Sequence, residues 1–550
     1  MKKIVLFLSL CLVQPFLVNA FFQEAPGSGK VIYVSKSGND AADGSFARPL
    51  LTISRAILKA GPGDQVIIRK GIYRELIVLN RGGASDQQRI TIKAAKGEIV
   101  NVKGSEQVKS WTKEKNGIWK LLTDTSSFKS IIFFNNVKMQ QKDEPKQVNE
   151  AVLSWTAEND GGKVMIKANF GKSNPNESLT EIPVRPSGIS ALQNVNYITI
   201  DGIHVSQVVS SNSSIYGKQE GAIETGGGTH WTIQNCTIDN CSGVGISIGN
   251  TGKTYPEASP RNPEFSDYKE IEEVGHHVIS NNHILNCGQA GIFGLAGGTA
   301  SLIKGNLIEK INTEGLYTGA ESAGIRLAVA IDAVIKGNLI RQIKGKQGYG
   351  IYLGPLFQAT RISENIISDT EVDAIYLFNS HGPALVDNNV LTPGNQGGKS
   401  GVKMLASEAN VFIKNLFYNC SFSNERQPGK SVATSNYLPH TLIIKQTIPS
   451  LNIDHRWFGN VFVKQKLDTQ SCTGCEIDYN TFVDDAGFHL IHTDDGANVK
   501  ANLKGSIAAH PEFNAEFIGF FALSKQYLEY PKGNPKLPNS FSLQKNNNIQ

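Results

Sequence analysis

The strongest constraint on this chain is a short phrase that returns at near-constant intervals. Read in register it gives AGIRLAV (323–329), YGIYLGP (349–355), DAIYLFN (373–379) and SGVKMLA (400–406). Asparagines keep the same beat. Asn282, Asn306, Asn338, Asn365, Asn389 and Asn415 stand 24 to 32 residues apart, Asn460 and Asn480 lie further on, and Cys236 fills the same slot one turn earlier. Each Asn is followed by a short β-branched or leucine-rich stretch, such as NLIEKI, NLIRQI or NIISDT, and then by a turn and another strand. A unit this short cannot bury its own apolar face, so copies must stack. Three short strands per coil, stacked on themselves, give a right-handed parallel β-helix with like residues in rows roughly 4.8 Å apart. In such a column each Asn meets the one above and the one below, so the row is expected to be structural.

Glycine supports the same reading, at 54 residues against 21 prolines, which suits many strands joined by tight turns. Residues 1–20 read as a secretory signal peptide, with Lys2 and Lys3, an apolar run from Ile4 to Val13 and a small-residue end at Ala20. A secreted or periplasmic protein is therefore expected. No later stretch reaches the about 18 apolar residues of a membrane span. Residues 21–104 read as an N-terminal cap and the first coils, in which Leu51, Ile53, Ala56 and Ile57 recur at helical spacing and Gly61-Pro62-Gly63 stops the helix. A capping helix shields the open end of a stack from water. Residues 105–185 break the rhythm, with Trp111, Trp119 and Trp155 among charged residues and a hairpin expected through Asn135-Asn136. They read as an inserted small β-sandwich-like domain. Parallel coils with long loops are expected over 186–505, and a tail without the repeat over 506–550. The fold class is all-β, a β-helix solenoid with a capping helix and an insertion.

Cys241 and Cys287 share one position of neighbouring repeats and read as stacked buried thiols. Cys472 and Cys475 form a lone CTGC that suits a local disulfide better than a metal. No dense carboxylate cluster with calcium spacing is present, since TDDG (493–496) reads as a turn, so neither a metal nor an organic cofactor is expected. The net charge of +5 is too small to imply nucleic acid. Oligomeric state is not legible.

Side chains alternate along a strand, so in each phrase the Ile or Val and the following Leu or Met point inward. One outward row then reads Glu224, Ser247, Phe293, Arg326, Tyr352, Tyr376, Lys403. The next reads Gly249, Leu295, Ala328, Gly354, Phe378, Leu405, and the row on the other side contains Tyr349 and Asp373. Aromatic faces between cations make a sugar platform, or else an ordinary solvated sheet face. The candidate catalytic residues are Glu321, Asp373, His381, Tyr352 and Tyr376. The candidate substrate-binding residues are Arg326, Lys403, Tyr349, Asn379, His440 and Arg456. Asp332, Asp454 and His455 are more often structural at such positions.

The stretches GIYLGPLFQATRISENI (350–366) and DAIYLFNSHGPALVDNN (373–389) resemble glycoside hydrolase family 120, as do GAESAGIRL (319–327), LPHT (438–441) and DHRWFGNVFV (454–463). The resemblance implies a β-xylosidase-like right-handed β-helix with an inserted β-sandwich. It also implies an Asp nucleophile in the first phrase and a Glu acid/base in the second, slots that hold Gly354 and Phe378 here. What matches is the supporting set of Glu321, Asp373 and His381, with Arg326 standing where the family pattern has a Lys.

Three functions fit. The first is a glycoside hydrolase acting on a polysaccharide or its oligosaccharides through relocated carboxylates, Glu321 and Asp373 foremost. The second is a polysaccharide lyase, with Arg326 or Lys403 neutralising a uronate and Tyr352, Tyr376 or His381 moving protons. The third is a glycan-binding protein without catalysis.

Overall fold

The structure is a computed structural model that describes residues 29–502, except 115, 125–130, 215–218, 250–273, 381, 394–399, 426–431, 438–443, 451–452, 464–474, 479, 485–486 and 495–496. The signal peptide, His381, His440, Cys472 and the 506–550 tail of the sequence reading lie outside the described residues.

Among the described residues, three long sheets are built from the stacked coils. The first has thirteen strands, from Val31–Val34 to Glu476–Asp478. The second has fourteen, from Gly71–Tyr73 to Ala497–Asn502, and the third has ten, from Ile77–Leu79 to Ser421–Glu425. The coils from Ile198 to Glu425 each contribute one strand to each sheet, and neighbouring coils pair in parallel, for example Ile325 opposite Ile351 and Ile351 opposite Ile375. This is the right-handed parallel β-helix that the repeat implies.

The interior is one continuous apolar column from Ile32 to Ile477, and it includes Ile325, Leu327, Ile351, Leu353, Ile375, Leu377, Val402 and Met404. In each of the four phrases the first Ile or Val and the Leu or Met two residues on are thus inside. The corner between the first and second sheets explains the asparagines. The residue before each is left-handed, as at Asn281 (φ 56°), Gly305 (63°), Gly337 (62°) and Glu364 (58°), and it swings the chain into the next strand. The Asn that follows is fully buried. The Asn338 backbone N–H and Nδ2 both donate to Asn365 Oδ1 at 2.9 Å, Nδ2 also donates to the Ile303 carbonyl at 3.0 Å, and Asn338 Oδ1 accepts the same pair of bonds from Asn306. The column runs unbroken from Asn282 to Asn480, so the two later candidates belong to it. Cys236 begins it, its N–H donating to Asn282 Oδ1.

The open end is capped by the helix Ile53–Lys59, with Ile53, Ala56 and Ile57 buried. Leu51 lies before the helix. The Thr52 hydroxyl accepts the Arg55 N–H, and the Glu75 carboxylate accepts those of Ile53 and Ser54, so three first-turn donors are satisfied. At the other end the last parallel pairing among the described residues is that of Val461–Val463 with Asn480–Asp484. The strands Gly487–Asp494 and Ala497–Asn502 add antiparallel to the second sheet, where a further parallel coil was expected.

Residues 105–183 form two further sheets. One joins Ser105–Gln107, Thr180–Pro183, Phe133–Phe134 and Val137–Lys138. The other joins Thr112–Lys113, Trp119–Asp124, Lys163–Asn169, Ser154–Asp160 and Gln140–Gln141. They enclose their own core, with Trp111, Trp119, Trp155, Phe134 and Phe170 in it. Asn135 and Asn136, both left-handed, turn the hairpin as the residue pair suggests. A buried ionic joint ties this unit to the coils. Glu181 accepts Lys103 Nζ at 2.9 Å through both oxygens and pairs with Arg74.

Candidate functional site

The outward row of the third sheet is in the register that alternation gives: Glu224, Ser247, Phe293, Arg326, Tyr352, Tyr376 and Lys403 are successive partners across seven strands. Tyr349 lies opposite Ala323, in the row that leads to Asp373. Parallel strands place like positions one strand spacing apart, so the side chains stack. The Arg326 guanidinium lies 3.7 Å over the Tyr352 ring, Tyr352 and Tyr376 centroids are 4.7 Å apart, and Lys403 Nζ stands 5.6 Å from the Tyr376 centroid. Tyr349 closes the group, stacked on Tyr376 at 4.9 Å. The result is a cation–tyrosine–tyrosine–cation ladder.

Facing outward does not make this row exposed. Arg326 is 1% exposed, and Tyr349, Tyr352 and Tyr376 are buried. Arg326 Nη1 donates to the carbonyls of Leu327 and Gly354, which commits that nitrogen to the backbone. The row is therefore packed, where the alternative to a sugar platform in the sequence was an ordinary solvated sheet face. The half-buried groups at its edge are Lys403, Phe378, Leu405 and Asn379.

Glu321 sits just before the strand Ala323–Ala328, with Oε1 3.5 Å from Arg326 Nη2 and 20% of its side chain exposed. Asp373 is buried at the head of its strand and Oδ1 accepts the Ser400 N–H at 2.9 Å. Glu321 and Asp373 thus both lie two residues before their strands, Ala323–Ala328 and Ile375–Ser380, of the third sheet. Asn379 is left-handed at the other end, and its carbonyl accepts the Leu356 N–H.

Gly354 is held at φ 126°, a region that L side chains rarely adopt. A Cβ there would lie 2.0 Å from the Phe378 carbonyl oxygen. The backbone as folded has no room for any side chain at this position. Phe378 packs beside Tyr376, with centroids 5.7 Å apart.

Arg456 does not join this face. It lies on the first sheet opposite Val411 and pairs with Glu476 at 3.2 Å. His455 is fully buried, Nδ1 accepts the Asn410 N–H, and burial pushes its pKa down to about 4. Asp332 occupies a left-handed corner. Sequence reasoning passed over Tyr317, in the loop before Glu321. Burial, and then the Glu321 charge, raise its pKa. The loop INTEGLYTGAE has no counterpart in the repeat, so no register could flag it. Among the described residues, no group of three or more His, Cys, Asp or Glu side chains is arranged to hold a metal, and no helix is long and apolar enough to cross a membrane.

Fold and face together define a right-handed β-helix carrying an aromatic–cationic ladder on one sheet. A family model for the right-handed β-helix region matches residues 211–391. Among solved structures, XylC in complex with xylose is similar, with a TM-score of 0.70 and 25% identity, over 82% of this chain and 83% of that one. A structure described as a glycoside hydrolase shares the fold at a TM-score of 0.52 and 11% identity, over 82% of this chain and 96% of that one. By this likeness the chain resembles glycoside hydrolase family 120. The uncharacterized protein YwoF of Bacillus subtilis (strain 168) is 36% identical over 78 residues, 14% of this chain, and the chain spans about one sixth of that relative's length (16%).

Proposed function

We propose that this protein is an exported carbohydrate-active enzyme that cleaves glycosidic bonds of a polysaccharide or its oligosaccharides, acting as a glycoside hydrolase. The observation that carries the reading is the Arg326–Tyr352–Tyr376–Lys403 ladder with Glu321 ion-paired at its head. The likeness to XylC, solved with xylose, supports a sugar as the ligand. In this reading the buried tyrosines form a rigid floor, and the half-buried Phe378 and Lys403 are what a sugar ring meets first. Glu321, beside a guanidinium, serves as the anionic partner, either base or nucleophile, and Asp373 serves as acid. The replacement of the family pair by Gly354 and Phe378 belongs to this proposal, and the lack of room at Gly354 supports it.

A second reading, elimination from a uronate-containing glycan, is favoured by one observation. The half-buried Lys403 stands beside Tyr376, a cation for the uronate carboxylate next to a phenol for the proton. Product analysis on a glycan panel separates the two. Hydrolysis liberates reducing ends without new ultraviolet absorbance, whereas elimination leaves a conjugated, unsaturated product. Glu321→Gln is expected to lower kcat by about 10²–10⁴, with Tyr352→Phe near the parent. The reverse pattern would overturn the hydrolase reading, and binding without turnover would leave a glycan-binding protein.

A further inference from the structure

The loop that delivers Glu321 is tied at both ends and once in its middle, and the middle tie comes from the inserted domain. At its start, Asn312 Nδ2 donates to the Tyr317 carbonyl at 2.7 Å and Asn312 Oδ1 accepts the Tyr317 N–H at 3.1 Å, which closes residues 312–317 into a ring. At its end, Ser322 Oγ donates to the Lys344 carbonyl at 3.1 Å, and Glu321 meets Arg326. Between these, Glu314 Oε2 pairs with Lys138 Nζ at 2.6 Å, across 176 residues of sequence.

Lys138 ends the hairpin Phe133–Phe134, Val137–Lys138 of the inserted domain. The hairpin is itself fixed to the coils, because Lys103 Nζ, already bonded to Glu181, also donates to Asn136 Oδ1 at 3.0 Å. A continuous chain of contacts therefore runs from the buried Lys103–Glu181 joint through the Asn135-Asn136 turn and Lys138 to Glu314, and on through the closed loop to Glu321. The links Lys103–Glu181, Lys103–Asn136, Lys138–Glu314 and Asn312–Tyr317 are polar contacts between named atoms, and the short backbone runs 136–138 and 317–321 join them.

We propose that Lys138 is a positioning residue for Glu321, so that the inserted domain holds the loop carrying this carboxylate in register with the tyrosine ladder. The proposal rests on the reading of Glu321 as a catalytic carboxylate. It assigns the insertion a part in turnover: without the Lys138–Glu314 pair the Asn312 ring remains, but the loop loses its outer anchor and Glu321 samples positions away from Arg326. A small misplacement of a reacting group lowers kcat more than it weakens ground-state binding.

The test uses the full chain with three variants, Lys138→Glu, Glu314→Lys and the double charge exchange. On a glycan that the parent cleaves, each single variant is expected to lower kcat about three- to tenfold with KM within about twofold, and the double exchange to return kcat to within about twofold of the parent. Amide exchange across 313–321 is expected to speed up in each single variant and to recover in the double. This second readout needs no turnover, so it separates failure of the tie from failure of the carboxylate reading. Unchanged exchange and kcat in the single variants, or a double exchange no better than either single, would overturn the proposal.

Discussion

Glu309 shows how a side chain on the outside of a β-helix becomes part of its stability. It lies on the second sheet opposite Arg341, receives His283 Nε2 at 2.9 Å from the coil before, and pairs with Arg341 Nη2 at 2.6 Å in the coil after. Burial alone would raise its pKa, but the bonds from His283 and Arg341 outweigh it and hold the group at about 2, against an ordinary 4.5. The folded value lies below the unfolded one, so the contribution to stability is complete above about pH 4.5 and is lost as the pH falls toward 2. A difference of that size corresponds to about 3 kcal/mol. Glu309→Gln is expected to lower the unfolding free energy by about this amount at pH 7, with the gap to the parent narrowing steadily below pH 4.5 in denaturant titrations. A gap of constant size across that range would show that the ion pairs are not its source. At this scale the sequence was partly legible. The row holding Arg326, Tyr352, Tyr376 and Lys403 follows from period-two alternation once the repeat sets the register. The burial of those same residues does not follow, because it depends on how Tyr349, Tyr352 and Tyr376 pack with Val372, Phe378 and Leu405, which alternation alone does not fix. Arg456 was misplaced for a related reason: its motif follows family order along the chain, while the strand it occupies belongs to another sheet.

The elements that matter most are the corner asparagines and the strand ends around Gly354. Asn338→Ala would remove two donations from Nδ2 and also leave the Asn306 N–H and Nδ2 without their acceptor inside the core. A buried donor left without a partner costs about 1–3 kcal/mol. The substitution is therefore expected to lower stability by about 3 kcal/mol or more, well beyond the about 0.5 kcal/mol of an ordinary surface change, as read from the denaturation midpoint. A small change would mean that water replaces the ladder. This column was fully legible, since identical residues at one beat in stacked units have few other uses. Gly354 was legible only as a departure from a family pattern. The structure supplies the physical content, a left-handed backbone whose Cβ would strike the Phe378 carbonyl. Gly354→Asp is accordingly expected to destabilise the protein by about 1–3 kcal/mol from backbone strain alone and to leave activity on any glycan no higher than the parent's. A variant both stable and more active would show that the strand ends rearrange readily and that the slot still accepts a carboxylate.

Among the described residues, the two largest apolar cores share an ionic joint. The coil interior runs unbroken from Ile32 to Ile477, while the inserted domain encloses a separate cluster around Trp111, Trp119 and Trp155. Stacked coils contact mainly their neighbours, so stability passes along the column by local interfaces. The insertion has no place in that column, and one of its ties to it is Glu181, which is fully buried and held ionised by Lys103 and Arg74: burial pushes its pKa up, and the hydrogen bonds from those two bring it below the carboxylate norm. Such pairs are costly to break from one side, because the remaining charge stays buried, and loss of one partner costs about 3–5 kcal/mol. Nothing in the sequence announced this joint, since Lys103 and Glu181 are 78 residues apart and neither lies in a motif. Lys103→Met keeps most of the side-chain volume and removes the charge. If the joint couples the two cores, the loss falls on the insertion alone. Amides of residues 105–183 are then expected to exchange faster, while the interior strands Ile335 to Phe417 keep the parent's protection and the three tryptophans report an earlier thermal transition than the coils. Acceleration spread evenly over both regions would instead mean that the insertion and the coils unfold as one cooperative unit, with the joint no more than one contact among many.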